Sequence, residues 1–201
     1  MQCLTNHVTD DQHHDVNLEY PNNHAVMWVK STPLECLSSS TIIECSPHNS
    51  FDMYQSAFVF PTTKSLSAYQ TEISVILFYN LALAHHLAGL SGLCHSPSKV
   101  TEAHLRQALR FYKLAMTVFK SNSQLNFDGS CFAIVLGAIT NMGHIFTYFW
   151  NTQAANSCMR HLRDLLHSTS ATVGISEEDG DFFFTVIAYS SETKAISAPA
   201  A

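Results

Sequence analysis

Apolar positions recur every three or four residues through the middle of the chain, and this spacing predicts four α-helices. The expected helices cover residues 67–90, 101–119, 131–150 and 151–167. Asn151 stands at the start of the fourth helix, where its side-chain oxygen can accept a hydrogen bond from a free N–H of the first turn. The second helix is amphipathic, whereas the third is apolar on nearly all sides and is expected to be central.

Three short runs outside the helices predict β-strands. Residues 25–29 form a short apolar run, and residues 53–60 combine aromatic and β-branched residues before Pro61. Residues 182–189, with the sequence FFFTVIAY, form the strongest strand pattern in the chain. Because these runs come from both sides of the helical region, we expect a small antiparallel sheet that covers it. The predicted fold class is α+β, with about four helices in antiparallel hairpins.

This pattern divides the chain of 201 residues into four parts. A flexible polar arm is expected over residues 1–24, and a strand and loop region that packs on the core over residues 25–66. The helical core covers residues 67–168. The last part, residues 169–201, holds an acidic loop, the predicted strand at 182–189 and a frayed tail. The length allows one domain with accessory segments.

Formal charge is sparse and unevenly distributed along the chain. Charged residues make up 13% of the sequence, against about 25% in a typical soluble domain. The net charge of −6 arises because acidic terminal parts outweigh a mildly basic helical core. This core lacks the dense basic face that nucleic-acid binding requires, so no nucleic-acid partner is expected.

Two uncharged stretches make a small two-span membrane protein an alternative. Residues 73–98 and 129–159 contain no Asp, Glu, Lys or Arg, and each stretch exceeds the roughly 20 residues that a span needs. Both contain Asn and His, which are costly in a lipid bilayer, so we favour a protein without a membrane partner. The first residues show no secretory-signal pattern and the six Cys show no CxxC pairing, which favours a cytoplasmic protein with reduced thiols.

No spacing typical of catalysis or of cofactor binding occurs in the sequence. The glycine patterns of phosphate-binding loops and of the nucleophile elbow are missing. Twelve His make a His/Cys metal-binding protein a second alternative. However, His85 and His86 are adjacent on a helix and cannot share an ion, and Cys158 and His161 lack a clear third and fourth ligand. We therefore expect no enzyme activity, no cofactor and no metal.

The helices contain a repeated pattern of small residues. Residues 80–82, Asn-Leu-Ala, in the first helix match residues 141–143, Asn-Met-Gly, in the third, and each is followed by an alanine, Ala108 or Ala155, in the next helix. Over residues 70–168 this pattern resembles two units of the tetratricopeptide repeat, in which a small residue of the first helix lets the second helix approach closely. The order of elements also resembles a group of uncharacterised diatom proteins, which implies no function.

The tetratricopeptide resemblance implies a protein-interaction role, as an adaptor or scaffold. In that family, the first helix of each unit lines a concave face that holds an extended peptide or partner segment. Carried onto this sequence, the positions expected to face a protein or peptide partner are Tyr79, Asn80, Leu83, His86, Asn141, His144, Thr147 and Tyr148. The family's carboxylate clamp needs Lys where this chain has Tyr79 and Thr140, so recognition of acidic C-termini is not implied. The alternative is that the chain's own strands or loops fill this face.

Overall fold

A computed structural model describes residues 30–33, 51–59, 70–93, 99–121, 129–168 and 175–196. Within these ranges the chain is mainly α-helical. The helices are α1 (Gln70–Leu93), α2 (Lys99–Ser121), α3 (Gly129–Tyr148), α4 (Thr152–His167) and α5 (Glu177–Ile196). Two short strands precede them along the chain, namely β1 (Lys30–Pro33) and β2 (Ser56–Val59).

The four helices predicted from the apolar spacing are confirmed as α1 to α4. The predicted N-cap of α4 is also confirmed, because Asn151 Oδ1 accepts a hydrogen bond from the backbone N–H of Ala154 at 3.1 Å. α1 and α2 form one helical hairpin and α3 and α4 a second, with α2 packed on α3. α1 and α2 approach closely at Gly89, where an added Cβ atom would lie only 2.7 Å from the side chain of Leu105.

The prediction of a C-terminal strand is wrong, because residues 182–189 lie inside α5. Ser176 caps this helix: its Oγ accepts a hydrogen bond from the backbone N–H of Asp179 at 3.1 Å and donates one to Asp179 Oδ2 at 2.7 Å. The buried positions are Asp179, Phe183 and Val186, which follow the spacing of one helical face. The N-terminal cap and the packing of this face on α3 and α4 therefore override the β-propensity of the run.

The predicted sheet from both ends of the chain is not shown, since its C-terminal member is a helix. β2 confirms the second half of the strand predicted at 53–60, whereas residues 51–55 have no regular secondary structure. The strand predicted at 25–29 lies outside the described residues. β1 and β2 pair antiparallel, with Lys30 opposite Val59. The described part of the chain is thus a mainly helical fold with two short paired strands.

α1 is long and apolar enough to cross a membrane, by length and composition alone. The stretch from Gln70 to Ser91 has a mean hydropathy of 1.6, and 39% of it is buried within the fold. It is the one such helix among the described residues, while α3 contains a shorter apolar stretch at Phe132–Tyr148. Because α1 also packs along α2, its composition suits a core helix of a soluble fold as well.

Candidate functional site

The face of α1 and α3 that was expected to bind a partner is covered by residues 51–59 of the same chain, here called the groove segment. Phe51, Met53, Tyr54 and Phe58 of this segment are buried. The segment runs across α1 and α3, and its β2 part pairs with β1. The sequence left open whether this face is free or filled by the chain's own strands or loops, and in the structure the groove segment fills it.

Asn141 of α3 holds the backbone of the groove segment at Tyr54. The backbone N–H of Tyr54 donates to Asn141 Oδ1 at 2.8 Å, and Asn141 Nδ2 donates to the Tyr54 carbonyl at 2.9 Å. The same nitrogen donates to Tyr112 Oη at 2.9 Å and lies 3.4 Å from Tyr79 Oη. Burial raises the pKa of both tyrosines, so these hydroxyls stay protonated. Asn141 is thus the centre of a buried polar network.

Asn80 of α1 holds the same segment four residues further on, at Phe58. The backbone N–H of Phe58 donates to Asn80 Oδ1 at 3.0 Å, and Asn80 Nδ2 donates to the Phe58 carbonyl at 2.8 Å. This bond pair is only partly buried, unlike that of Asn141. The two asparagines that the repeat pattern places in equivalent positions therefore make the same pair of hydrogen bonds to the main chain of the groove segment.

Aromatic side chains hold the groove segment between the helices. The Tyr54 ring lies 4.9 Å from that of Phe183 in α5, and its hydroxyl donates to Asp179 Oδ1 at 2.6 Å. The Phe58 ring lies edge-on to Tyr79, with 5.0 Å between ring centroids. The segment consequently connects α1, α3 and α5, and its burial is part of the hydrophobic core.

Two glycines of α3 make room for the groove segment. A Cβ atom at Gly143 would overlap the ring of Phe51, and one at Gly137 would lie 2.6 Å from Tyr54 Cδ1. The sequence pattern assigned Gly143 to the close approach of α4. In the structure the atoms nearest to that position belong to Phe51 instead, so the small residue accommodates the segment.

His86 and His144, both predicted to face a partner, form a buried pair between α1 and α3. His86 Nε2 lies 3.0 Å from His144 Nδ1, so one ring donates and the other accepts. Burial lowers the pKa of His144 to about 4 and that of His86 well below its usual value, which keeps both rings neutral. Within the described part of the chain, His86 Nδ1 has no hydrogen-bond partner.

The adjacent His85 points to a different helix and meets another histidine there. Its Nδ1 lies 3.0 Å from Nδ1 of His104 in α2, and both side chains are half-buried. The ring of His85 also stacks on Phe111, with centroids 5.7 Å apart. Neither histidine pair is predictable from the sequence, because the members lie 19 and 58 residues apart and meet only when the helices pack.

The remaining residues predicted to face a partner differ in how deeply they are buried. Tyr79 and Leu83 are buried in the core. Thr147 is half-buried and donates to the carbonyl of Gly143 in its own helix at 3.0 Å, and Tyr148 is half-buried against Phe149. The structure therefore brings Tyr79, Asn80 and Asn141 to the groove segment and pairs His86 with His144, while Thr147 and Tyr148 lie further along α3.

The turn between α3 and α4 exposes a tryptophan in an unusual backbone conformation. Trp150 has a φ of 57° and its side chain is 85% exposed. The backbone N–H of Trp150 donates to the carbonyl of Thr147 at 3.0 Å. The backbone N–H of Asn151 donates to the carbonyl of Phe146 at 2.9 Å. This is the Schellman pattern of a helix C-terminus, in which the left-handed position usually holds glycine.

No group of three or more His, Cys, Asp or Glu side chains that could hold a metal ion occurs among the described residues. Burial raises the pKa of the Cys158 thiol to about 11, which disfavours the thiolate that binds metals.

Comparisons with protein families, curated proteins and solved structures give no match for this chain. The tetratricopeptide resemblance therefore stays a prediction from sequence.

Proposed function

We propose that this chain is a cytoplasmic, non-catalytic protein-interaction domain, an adaptor or scaffold, whose tetratricopeptide-like hairpins hold an extended polypeptide segment. In its resting form the domain holds its own groove segment, and a partner acts by supplying an extended segment in its place. The observation that carries this proposal is the pair of contacts by which Asn80 and Asn141 bind the main chain at Phe58 and Tyr54.

Main-chain recognition makes the exchange of one segment for another chemically possible. Every residue except proline offers the N–H and C=O groups that the two asparagines bind. A replacing segment therefore satisfies the same hydrogen bonds whatever its side chains, provided that neither of the two bound positions is proline. Selection is left to the apolar positions, because Tyr54 and Phe58 place aromatic rings four residues apart against α5 and α1. The expected ligand is an extended peptide with aromatic residues at this spacing.

The buried side chains explain why the resting form is closed. Burying an aromatic or aliphatic side chain contributes about 1.5–3 kcal/mol, and the groove segment buries four of them, Phe51, Met53, Tyr54 and Phe58. The segment is also tethered, which gives it a local concentration on the order of millimolar. A partner segment must match this apolar contribution, so we expect selective rather than general peptide binding.

The test is binding of a fluorescent peptide with the sequence of residues 51–59 to the full chain, measured by anisotropy. Wild-type protein should bind it at about millimolar concentration, because the tethered segment competes. Phe58→Ala weakens the tethered segment by about 3–5 kcal/mol and should improve peptide affinity roughly 100-fold or more. The matched variant Gln55→Ala, at an exposed position of the segment, should behave as wild type.

The asparagines provide the specificity control for this experiment. Adding Asn80→Ala and Asn141→Ala to Phe58→Ala should abolish the gain in peptide affinity. Equal, weak binding by wild type, Phe58→Ala and the triple variant, in samples whose helical circular dichroism is retained, would contradict the proposal. The groove segment would then be a permanent part of the core.

The membrane alternative has one observation in its favour, namely the apolar character of α1, whose Leu77 and Leu81 remain exposed. Carbonate extraction of membranes from cells that express the full chain distinguishes the two functions. An adaptor or scaffold is released into the supernatant. A protein that stays in the pellet spans the bilayer, and the groove proposal would then fail.

A further inference from the structure

We propose that His85 of α1 and His104 of α2 form a two-imidazole site for a divalent transition-metal ion of the class that prefers imidazole, such as Zn²⁺ or Cu²⁺. The two Nδ1 atoms lie 3.0 Å apart. Metal–nitrogen bonds of about 2.0–2.1 Å at angles between a right angle and the tetrahedral value place two ligand atoms about 2.9–3.4 Å apart. The pair is therefore already close to the separation that a chelated ion requires.

The packing of α1 on α2 holds the two imidazoles in this arrangement. Ala82 and Ala108 are fully buried in this hairpin, and Gly89 lies against Leu105. The stacking of His85 on Phe111 fixes the ring from its other side. Chelation at this position would thus cost little additional side-chain order, and the ion would connect the two helices of the first hairpin.

The His85–His104 pair is less buried than the second histidine pair, which favours entry of an ion from solution. His85 and His104 are half-buried, whereas His86 and His144 have the same 3.0 Å separation but are enclosed in the core. The described residues supply no third His, Cys, Asp or Glu ligand at the surface pair. Water molecules would therefore complete the coordination, which leaves positions open to a further ligand.

Metal binding at this pair involves a defined proton rearrangement. Without metal, one Nδ1 carries a proton and donates it to the other Nδ1. With metal, both Nδ1 atoms coordinate the ion, and each neutral imidazole carries its proton on Nε2. No net proton is released while both rings are neutral. Because an imidazole nitrogen binds a metal ion only in its unprotonated form, protons compete with the ion and its affinity falls as the pH decreases.

The test is calorimetric titration of the full chain with ZnCl₂ and with CuCl₂ at about pH 7.5. In His85→Asn and in His104→Asn, one equivalent of tightly bound metal should be lost or its affinity should fall about tenfold or more. Each variant keeps only one of the two imidazoles, so the ion is no longer chelated. His167→Asn, at an exposed position of α4, is the control and should bind as wild type. Subtracting the metal bound by each site variant from that bound by the wild-type chain removes the contribution of the other His and Cys residues.

Thermal unfolding supplies a second readout that a merely structural hydrogen bond would not produce. An ion that binds only the folded chain raises its melting temperature, and this rise should occur in wild type and His167→Asn but not in the two site variants. If either site variant fails to fold, paramagnetic broadening of the His85 and His104 ring signals by Cu²⁺ in the wild-type chain decides instead. Unchanged stoichiometry and affinity in both folded site variants, or no broadening, would overturn the proposal and leave a simple histidine–histidine hydrogen bond.

Discussion

The groove segment is held at two positions, Tyr54 and Phe58, each by an asparagine side chain, but the two asparagines lie in different surroundings. At Tyr54, Asn141 is fully buried and shares its amide with two tyrosine hydroxyls. At Phe58, Asn80 makes the same two main-chain bonds in a partly exposed position. A buried group that loses its partner bears the full desolvation penalty, whereas water can replace a partly exposed one. We therefore expect the contact at Tyr54 to fix the segment more firmly than the contact at Phe58, so that any opening begins at Phe58.

The largest predicted effect is that of Asn141→Ala. It leaves the N–H and C=O of Tyr54 buried without this partner, at about 1–3 kcal/mol for each group, so a loss of about 2–6 kcal/mol in unfolding free energy is expected. Denaturant unfolding followed by circular dichroism measures this loss. Asn156→Ala on the exposed face of α4 is the control, with a change near zero. Equal small losses in both variants would show that the Tyr54 bonds do not stabilise the fold.

Acid should destabilise the Asn141 end, because His144 lies one helical turn from Asn141 and pairs with the buried His86. Burial lowers the pKa of His144 to about 4 in the folded chain, against about 6.5 when unfolded. The unfolded chain therefore binds protons first as pH falls. The free energy of unfolding is therefore highest above about pH 6.5 and decreases as the pH falls toward about 4. The titration of His144 accounts for about 3 kcal/mol of this decrease.

Unfolding free energies measured at several pH values test this decrease. The double variant His86→Leu/His144→Leu is the control and should show a shallower dependence between pH 6.5 and 4, because both buried titrating groups are removed. A slope equal to that of wild type would mean that other groups cause the acid sensitivity.

Gly143→Leu should destabilise the fold by about 1–3 kcal/mol, because its side chain would overlap the ring of Phe51. Adding Phe51→Ala should recover part of this loss, as expected for two residues in direct contact. Gly180→Ala, where nothing lies within 4 Å of an added Cβ atom, is the control and should not destabilise α5. Losses that simply add in the double variant would place the neighbour of Gly143 elsewhere, for example on α4.

Asn80→Ala should cost less than Asn141→Ala, about 1–2 kcal/mol, since water can reach the Phe58 bonds. The unfolding midpoints of Asn80→Ala and Asn141→Ala, measured with the same denaturant, test whether the contact at Phe58 stabilises the fold less than the contact at Tyr54. If Asn80→Ala is the more destabilising variant, the segment is fixed at Phe58 and opens at Tyr54.

The smallest expected effect lies outside the groove and has the opposite sign. Trp150 occupies a left-handed position that favours glycine, and its exposed side chain contributes little burial. Trp150→Gly should therefore stabilise the fold by up to about 1 kcal/mol, seen as a higher melting temperature. Trp150→Ala keeps the Cβ atom and should bring no comparable gain. A lower melting temperature for Trp150→Gly would show that the indole makes stabilising contacts.

Sequence periodicity predicted the helices well because α1 to α4 follow the apolar spacing of their buried faces. It failed at residues 182–189, where a strand-like composition concealed a helix. Ser176 and Asp179 formed a capping pattern ahead of that run, and this was the available signal. Asn80 and Asn141 were identified from the repeat, but their partner was the chain itself. The groove segment and both histidine pairs depend on how elements distant in sequence pack, which periodicity does not encode.

Site-resolved hydrogen exchange of the backbone amides of Tyr54 and Phe58 tests the central claim most directly. In the wild-type chain both amides should be protected, that of Tyr54 more strongly, because Asn141 and Asn80 accept their hydrogen bonds. Asn80→Ala should remove the protection of Phe58 while that of Tyr54 largely remains. Exchange of both amides at the rate of an unstructured chain in folded wild-type protein would contradict the account.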